Sequence, residues 1–412
     1  MNLWWILFVF DGLLFAFVAL TVVYLLVFSI ASLFGHKPEL LASKHINRFI
    51  VLIPSYQNDN SILQTVNSVL GQTYAQRMFD VVVISDHQSE LTNMKLAQLP
   101  ITLLTPNFKN SSKAKSLQYA VMNLPQFKIY DAVVVLDAGN VVLPEFLEQV
   151  NNAYEMSGTK AMQVHRLSKN RDTTAARLDA IFEEINTSIF RSGHMAMGLS
   201  AGLNGSGIVL DFQWFKNNVM KLKPTLGEDK ELESLLMRDS IFVDFFDNIH
   251  VYDEKTSNFK DFNKQRGRWI FTQLHSLMSN IRYLPSALFH KKYDHADKIL
   301  QWMLIPRTIL VGIIAIMAIV MPFIYFTLVI KWWVAAALML LAFSFATPDY
   351  LVDEHWDHDF LSAPLILIWG FINIFTAGKK ETEHRVSAAG KLLYKGKDTI
   401  QHRFKGRLPQ KL

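Results

Sequence analysis

The sequence predicts an α/β domain, Rossmann-like in its alternation of strands and helices, carried between α-helical transmembrane segments. Three observations predict it. The hydrophobic residues, 50% of the 412, are gathered into a few long runs. The polar region between those runs, from Arg48 to about Pro285, alternates short β-rich stretches with helix-compatible ones. That region also carries an acidic pair, Gly227-Glu228-Asp229, and a basic aromatic run, Gln265-Arg266-Gly267-Arg268-Trp269.

From Leu3 to Phe34 the chain is almost continuously apolar, interrupted by Asp11, Gly12 and a few hydroxyl residues, and longer than the ~20 residues that span hydrocarbon. No basic residue precedes the run, and it exceeds the roughly 7–15 residues of a signal-peptide core. It therefore reads as a retained anchor. His36, Lys37, Lys44, His45 and Arg48 follow it, which by the positive-inside rule puts the N-terminus outside and the next domain in the cytoplasm.

Phe49 to Ile53 reads as a buried strand ending at Pro54. Ser61 to Leu70 reads as a helix with Leu63, Val66 and Leu70 on one face. Asp80 to Ser85 is a second strand with Asp86 just past its end. A helix from about Lys113 to Met122 leads to a third strand, Ala132 to Leu136, with Asp137 just past its end. Either aspartate alone is as well explained as a turn or cap residue. Their repetition at the carboxyl edge of a parallel sheet, where open α/β sheets bind nucleotides, favours a ligand role. No GxGxxG follows the first strand and no GxxxxGK[ST] occurs, so neither a dehydrogenase cofactor site nor a P-loop is supported.

Past an amphipathic stretch, Trp269 to Leu284, the apolar tract Met303 to Thr347 is long enough for two crossings, with an external turn expected near Ile330-Lys331-Trp332-Trp333. Leu361 to Ala377 is shorter and contains Pro364. The basic tail beyond it, from Lys379 to Arg407, favours an interfacial or re-entrant segment over a third crossing. Domain limits follow: 1–36 anchor, 37–268 catalytic domain, 269–300 interface region, 301–348 two transmembrane helices, 349–378 acidic loop and apolar segment, 379–412 cytoplasmic tail. Asp353 to Asp359 has a metal-like composition but reads as a solvated connector. His194 reads as a packing histidine, and Trp332, Trp333 and Trp356 as interface anchors.

The absence of cysteine excludes disulfides and thiolate metal sites. The net charge of +5 is concentrated beside the apolar segments and at the C-terminus, which suits anionic lipid headgroups and not nucleic acid. An acidic pair can take a proton from a hydroxyl, guanidinium groups can hold a diphosphate, and an indole can stack on a sugar ring. Together these chemistries read as sugar transfer.

In order along the chain, Pro54-Ser55-Tyr56, Asp86, Lys113-Ala114-Lys115-Ser116-Leu117-Gln118, Asp137, Gly205-Ser206-Gly207, Gly227-Glu228-Asp229 and Gln265 to Trp269 resemble the membrane-embedded family 2 glycosyltransferases. These are the inverting group that includes cellulose, hyaluronan and poly-N-acetylglucosamine synthases. The resemblance spans roughly Phe49 to Thr382, where Thr382-Glu383-His384 echoes a gating-loop ending. It implies a cytoplasmic GT-A domain on a multi-pass protein of a bacterial-type inner membrane. It further implies a UDP-sugar donor contacted by Pro54, Tyr56, Asp86, Lys113, Lys115 and Asp137, and Asp229 as general base with Glu228 orienting it. Gln265, Arg266, Arg268 and Trp269 would line the acceptor and diphosphate end.

A Mg²⁺ or Mn²⁺ ion on Asp137 is implied as well. The second carboxylate of the family's Asp-x-Asp is Gly139 here, which weakens the protein's grip on such an ion. The expected activity is polysaccharide synthesis. The alternatives are a single addition to a lipid-linked acceptor, or a silent nucleotide- or glycan-binding subunit of an export complex; membrane lipids and an accessory export subunit are the expected partners.

Overall fold

The computed structural model describes residues 3–35, 39–125, 127–223 and 227–352. The expectations for Asp353 to Asp359, 361–377, Thr382-Glu383-His384 and the basic tail lie outside the described residues. An N-terminal helix α1 (Leu3–Ser32) precedes β1 (Phe49–Tyr56), α2 (Ile62–Leu70), β2 (Phe79–Asp86), α3 (Glu90–Leu96), β3 (Thr102–Leu104), α4 (Lys113–Asn123) and β4 (Ala132–Val135). Next come β5 (Val141–Val142), α5 (Phe146–Ser157), β6 (Ala161–Ser168), α6 (Thr174–Thr187), α7 (His194–Ala196), β7 (Ile208–Asp211) and α8 (Phe212–Asn218). Then follow α9 (Glu228–Arg238), β8 (Val243–Asp253), α10 (Phe259–Asn280), α11 (Leu284–Phe289), α12 (Tyr293–Met303), α13 (Arg307–Ile324) and α14 (Phe326–Ala346).

The strands form one sheet in the order β3-β2-β1-β4-β7-β6-β8-β5. Its first half is parallel, as expected. The second half is mixed: β7 runs antiparallel to both β4 and β6, and β5 antiparallel to β8. Alternate side chains of β1 divide between two cores, Phe49, Val51 and Ile53 on one face and Ile50 and Leu52 on the other. A sheet buried on both faces needs near-continuous apolar strands, and that is why β1, β2 and β4 stand out in the sequence.

β1 continues past its expected end, because Pro54 lies inside it. β4 pairs with β1 only as far as Leu52, whose carbonyl accepts from Leu136 N–H at 3.1 Å. The next position facing that way is Pro54, where the ladder has already stopped, so its missing N–H costs no strand bond.

Among the described residues, three helices are long and apolar enough to cross a membrane, at Leu7–Ser32, Arg307–Ile324 and Phe326–Ala346. The turn between the last two is at Tyr325, not at Ile330 to Trp333, which lie within α14. Lys331 interrupts the apolar run without ending the helix because its ammonium is paired with Asp11 of α1, whose other oxygen accepts from Trp332 Nε1 at 2.9 Å. A charge matched within the bundle does not need water.

A 30-residue helix is about 45 Å long, more than the ~30 Å of hydrocarbon. The last turns of α1 accordingly leave the apolar bundle and pack on the α/β domain. The Tyr24 hydroxyl donates to Asp297 at 2.7 Å and lies 2.8 Å from His194 Nε2, and Phe28 stacks on the His194 ring at 3.8 Å. The buried His194 is thus the packing residue expected. Gly193 permits the crossing, since a Cβ there would fall inside contact with the Phe28 carbonyl.

Candidate active site

The carboxyl ends of β1, β2 and β4 lie side by side. Tyr56 and Asp86 are partners in register, and Asp86, the last residue of β2, is fully buried. One of its oxygens is 2.6 Å from His87 Nδ1; the other has no partner in the protein. A buried carboxylate oxygen left open at a ligand-binding sheet edge is an acceptor waiting for an N–H, such as one on a nucleobase. His87 holds a left-handed backbone with φ +57° and meets the half-exposed Tyr56 ring edge-on at 5.7 Å. Gln88 ties the loops together, accepting from Asn58 N–H at 3.0 Å and donating to the Ser55 hydroxyl.

Asp137 leaves β4 with its own N–H donating to Asn140 Oδ1 at 2.9 Å and Ser206 Oγ at 3.0 Å. Its carboxylate accepts from Lys113 Nζ. Lys113, the first residue of α4 after the Ser112 cap, also donates to the Gly205 carbonyl at 2.5 Å and lies 3.7 Å from Glu228 Oε1. The Gly205-Ser206-Gly207 segment therefore holds both the Asp137 backbone and the Lys113 ammonium. Lys115 is two residues on, across the helix, and its ammonium donates to the Asn110 carbonyl instead. Of the two lysines, Lys113 joins the cluster.

Glu228 and Asp229 occupy the first turn of α9, where the helix dipole favours negative charge. Lys113 thus faces Asp137 and Glu228 directly and feels the charge of Asp229. Burial works against the Lys113 cation, but these carboxylates outweigh it and hold its pKa above the usual lysine value. Burial likewise pushes the Glu228 carboxyl up; Lys113 pulls against that, and Asp229 and Asp137 add to the rise.

The motif at 265–269 is divided by helical geometry. Gln265 and Arg268 share a face of α10 with Thr272, and Thr272 packs so closely on Gly227 that a Cβ on that glycine would collide with it. Arg268 is exposed, and the buried Gln265 Oε1 has no protein partner. Arg266 lies round the helix from Arg268, and Trp269, four residues after Gln265, sits between the two faces. The Arg266 guanidinium bonds Asp179 of α6 at 2.7 Å and lies over the Trp269 and Phe262 rings at 4.5 and 4.6 Å. Arg266 and Trp269 face a cleft among α1, α6, α12 and α13.

A divalent cation takes hard oxygen ligands and shares a diphosphate's oxygens. Asp137, partly exposed, is the only carboxylate of its loop. Gly139 holds φ +115°, a backbone that would strain an aspartate at that position. Asn140 is already engaged, its Oδ1 accepting from the Asp137 N–H and the Ser206 hydroxyl and its amide donating to Asp253 at 2.9 Å. No group of three or more metal-type ligands occurs among the described residues. This donor set fits a cation held by one protein carboxylate and otherwise by a nucleotide.

Sequence reasoning missed His87, Gln88 and the wall built on β6, where Arg166 pairs with Asp253 at 3.2 Å and Glu183 at 3.4 Å. His87 had a signal, since it directly follows a strand-end aspartate. Arg166 had none, because its partners are remote in sequence.

Residues 47–272 match the family described as glycosyltransferase like family 2. The chain belongs to that family. It is a glycosyltransferase, and its strand order and mixed half-barrel sheet are those of a GT-A domain. Among solved structures it is similar to the mannosyltransferase PcManGT from Pyrobaculum calidifontis in complex with GDP-Man and Mn²⁺, at 13% identity over 80% of this chain and 98% of that one, with a TM-score of 0.51. S. aureus TarS also aligns, at 11% identity over 61% of this chain and 54% of that one, with a TM-score of 0.39. TarS 1–349 in complex with UDP aligns at 12% over 73% and 90%, with a TM-score of 0.38. Only the first of these bears on the fold. No curated protein matches the sequence.

Proposed function

We propose that this family member is an inverting transferase that takes a sugar from a nucleoside-diphosphate donor, UDP-linked as first choice, and adds it to a glycan hydroxyl at the cytoplasmic membrane face, in polysaccharide synthesis. The observation that carries the reading is the Asp137–Lys113–Glu228 cluster, which joins the strand edge suited to a nucleotide to the acidic pair suited to proton abstraction. In this mechanism Asp86 accepts an N–H of the base and Tyr56, at the end of β1, packs on it, with Pro54 two residues before it where the β1–β4 ladder has stopped. Asp229 removes the acceptor proton as the oxygen attacks C1; the C1–O bond to the diphosphate breaks, its electrons go to the leaving phosphate, and the configuration inverts. Glu228 orients the base, Lys113 places positive charge where the diphosphate departs, and Gln265 and Arg268 line the acceptor side. A Mg²⁺ or Mn²⁺ ion on Asp137 would neutralise diphosphate charge.

A second reading is a single addition to a lipid-linked acceptor. The interior of the three-helix bundle is filled by Val18, Val22, Ile314, Trp332 and Ala335, so these helices enclose no path for a growing polymer. The test is to incubate the full-length protein in membranes with labelled UDP-glucose, UDP-N-acetylglucosamine, UDP-glucuronate or GDP-mannose, with Mg²⁺ or Mn²⁺, and to size the product. A ladder supports polymer synthesis, and one added sugar on a lipid supports the second reading. No nucleotide release from any donor would leave a silent binding subunit and overturn both.

A further inference from the structure

The cleft on the far side of α10 is lined by two arginines and no acidic residue. Its volume is about 130 Å³, below the ~300 Å³ at which pockets enclose a whole small molecule, and thus of a size for a headgroup. Arg266 is only 6% exposed. Asp179 engages one of its terminal nitrogens, and its Nε has no partner in the protein. Arg307, at the start of α13, donates from Nη2 to Asn186 Oδ1 at 2.7 Å and to the Phe182 carbonyl at 3.4 Å, and lies over the Phe182 ring at 5.7 Å. Its Nη1 is buried without a partner, and no carboxylate lies within ion-pair distance of it among the described residues. A guanidinium nitrogen removed from water with no acceptor is costly.

The position of the cleft says what supplies the missing charge. Arg307 begins an 18-residue membrane-length helix, whose dipole adds to the attraction for an anion. Leu25 of α1, Ile270 and Ile305 form apolar walls beside the guanidinium groups. Both α1 and α13 pass here from the bilayer to the α/β domain, and the Ile305 N–H donates to Thr21 of α1 at 3.4 Å. A free inorganic anion would make no use of apolar walls, whereas an acyl or isoprenoid chain would.

We propose that this cleft binds the phosphate headgroup of an anionic lipid in the leaflet facing the α/β domain, with Arg266 and Arg307 as the phosphate clamp. α10 then packs Thr272 against Gly227, beside the acidic pair, and presents Arg266 and Trp269 to a lipid. The site is independent of whether transfer occurs.

The test is lipid binding to the purified full-length protein in detergent, read by native mass spectrometry without nucleotide. Phosphatidic acid and phosphatidylcholine are titrated separately, and inorganic phosphate is added as competitor. Phosphatidic acid should bind at least tenfold tighter than phosphatidylcholine, and Arg307→Gln should reduce that preference about tenfold, the loss of one charged hydrogen bond. Arg307→Lys should keep part of it. Should Arg307→Gln fail to fold, Ile305→Trp fills the cleft without altering its charge and should also abolish the preference. Equal binding of the two lipids, or an Ile305→Trp protein that retains the preference, overturns the proposal. Competition by inorganic phosphate at concentrations equal to the lipid would overturn the lipid as the source. Failure of the transferase reading would show instead as no nucleotide release, with lipid binding unchanged.

Discussion

Lys113 and Arg307 are both cations held away from water, and the protein treats them oppositely. Lys113 is enclosed by Asp137, Glu228 and the Gly205 carbonyl, with Asp229 behind. Arg307 has an amide oxygen, the Phe182 carbonyl, a ring and, among the described residues, no carboxylate within ion-pair distance. The difference distinguishes a charge that organises its own surroundings from one whose complement must come from outside. The first kind sets the protonation of the groups around it; the second marks a binding site. The largest expected effect tests the first kind. Asp229→Asn should leave nucleotide affinity nearly unchanged while turnover falls by roughly 10²–10⁴, as measured by nucleotide binding and by single-turnover kinetics. Unaltered turnover would remove Asp229 from the base role and leave Lys113 organising carboxylates with no chemical task.

Lys113 should also set the pH dependence. Because burial and the neighbouring carboxylates push Glu228 up while Lys113 holds it down, protons bind Glu228 at a higher pH than they bind an ordinary glutamate. The acid limb of kcat/KM should accordingly lie above the usual carboxylate range, with activity rising as pH rises through it. Lys113→Met should shift that limb further up, and Glu228→Gln should remove it. A limb that stays in place in Lys113→Met would show that the ammonium does not govern the pair. A smaller effect is expected at Asp137. Asp137→Ala should lower nucleotide affinity about tenfold when Mn²⁺ is present and much less when it is absent, as for the loss of one charged ligand. A wild-type protein that binds UDP equally well with and without cation would leave Lys113 as the sole charge compensation at that edge.

Much of the strand edge at β1, β2 and β4 is legible in the sequence, and the reason is local. β1, β2 and β4 are buried on both faces, so each reads as an unbroken apolar run, and a carboxylate closing such a run is conspicuous; Asp86 and Asp137 are at the strand ends expected. The antiparallel β7 was not legible, because Ile208–Asp211 is too short to betray direction. Placing both Lys113 and Lys115 at the donor ignores the helix period that sets them on opposite sides of α4. The same period, applied to 265–273, separates Arg266, Ile270 and Gln273 from Arg268, with Gln265 and Trp269, four residues apart, as neighbours between them. Arg307 was read only as part of an apolar tract, since nothing in a sequence shows that a cation lacks a partner. Lys331 was misread as a turn for the complementary reason, its partner being 320 positions away.

That last pair offers an intermediate case between the two cations. Lys331 has one carboxylate, Asp11, with the Phe15 ring 4.9 Å from its ammonium. Asp11 is 2% exposed and accepts a second bond from Trp332. Lys331→Leu should therefore leave a buried, half-satisfied carboxylate among apolar helices and destabilise the bundle by about 2 kcal/mol, near the low end for an unpaired intramembrane charge. The double substitution Asp11→Leu/Lys331→Leu removes both charges and should recover most of that loss, because replacing a buried pair by apolar side chains is commonly near neutral. Unfolding in detergent, compared across the double-mutant cycle, measures the coupling directly. A double variant as unstable as the sum of the single ones would mean that the pair is not what satisfies Asp11. The contrast between a matched and an unmatched buried charge, on which the reading of Arg307 rests, would then lose its internal standard.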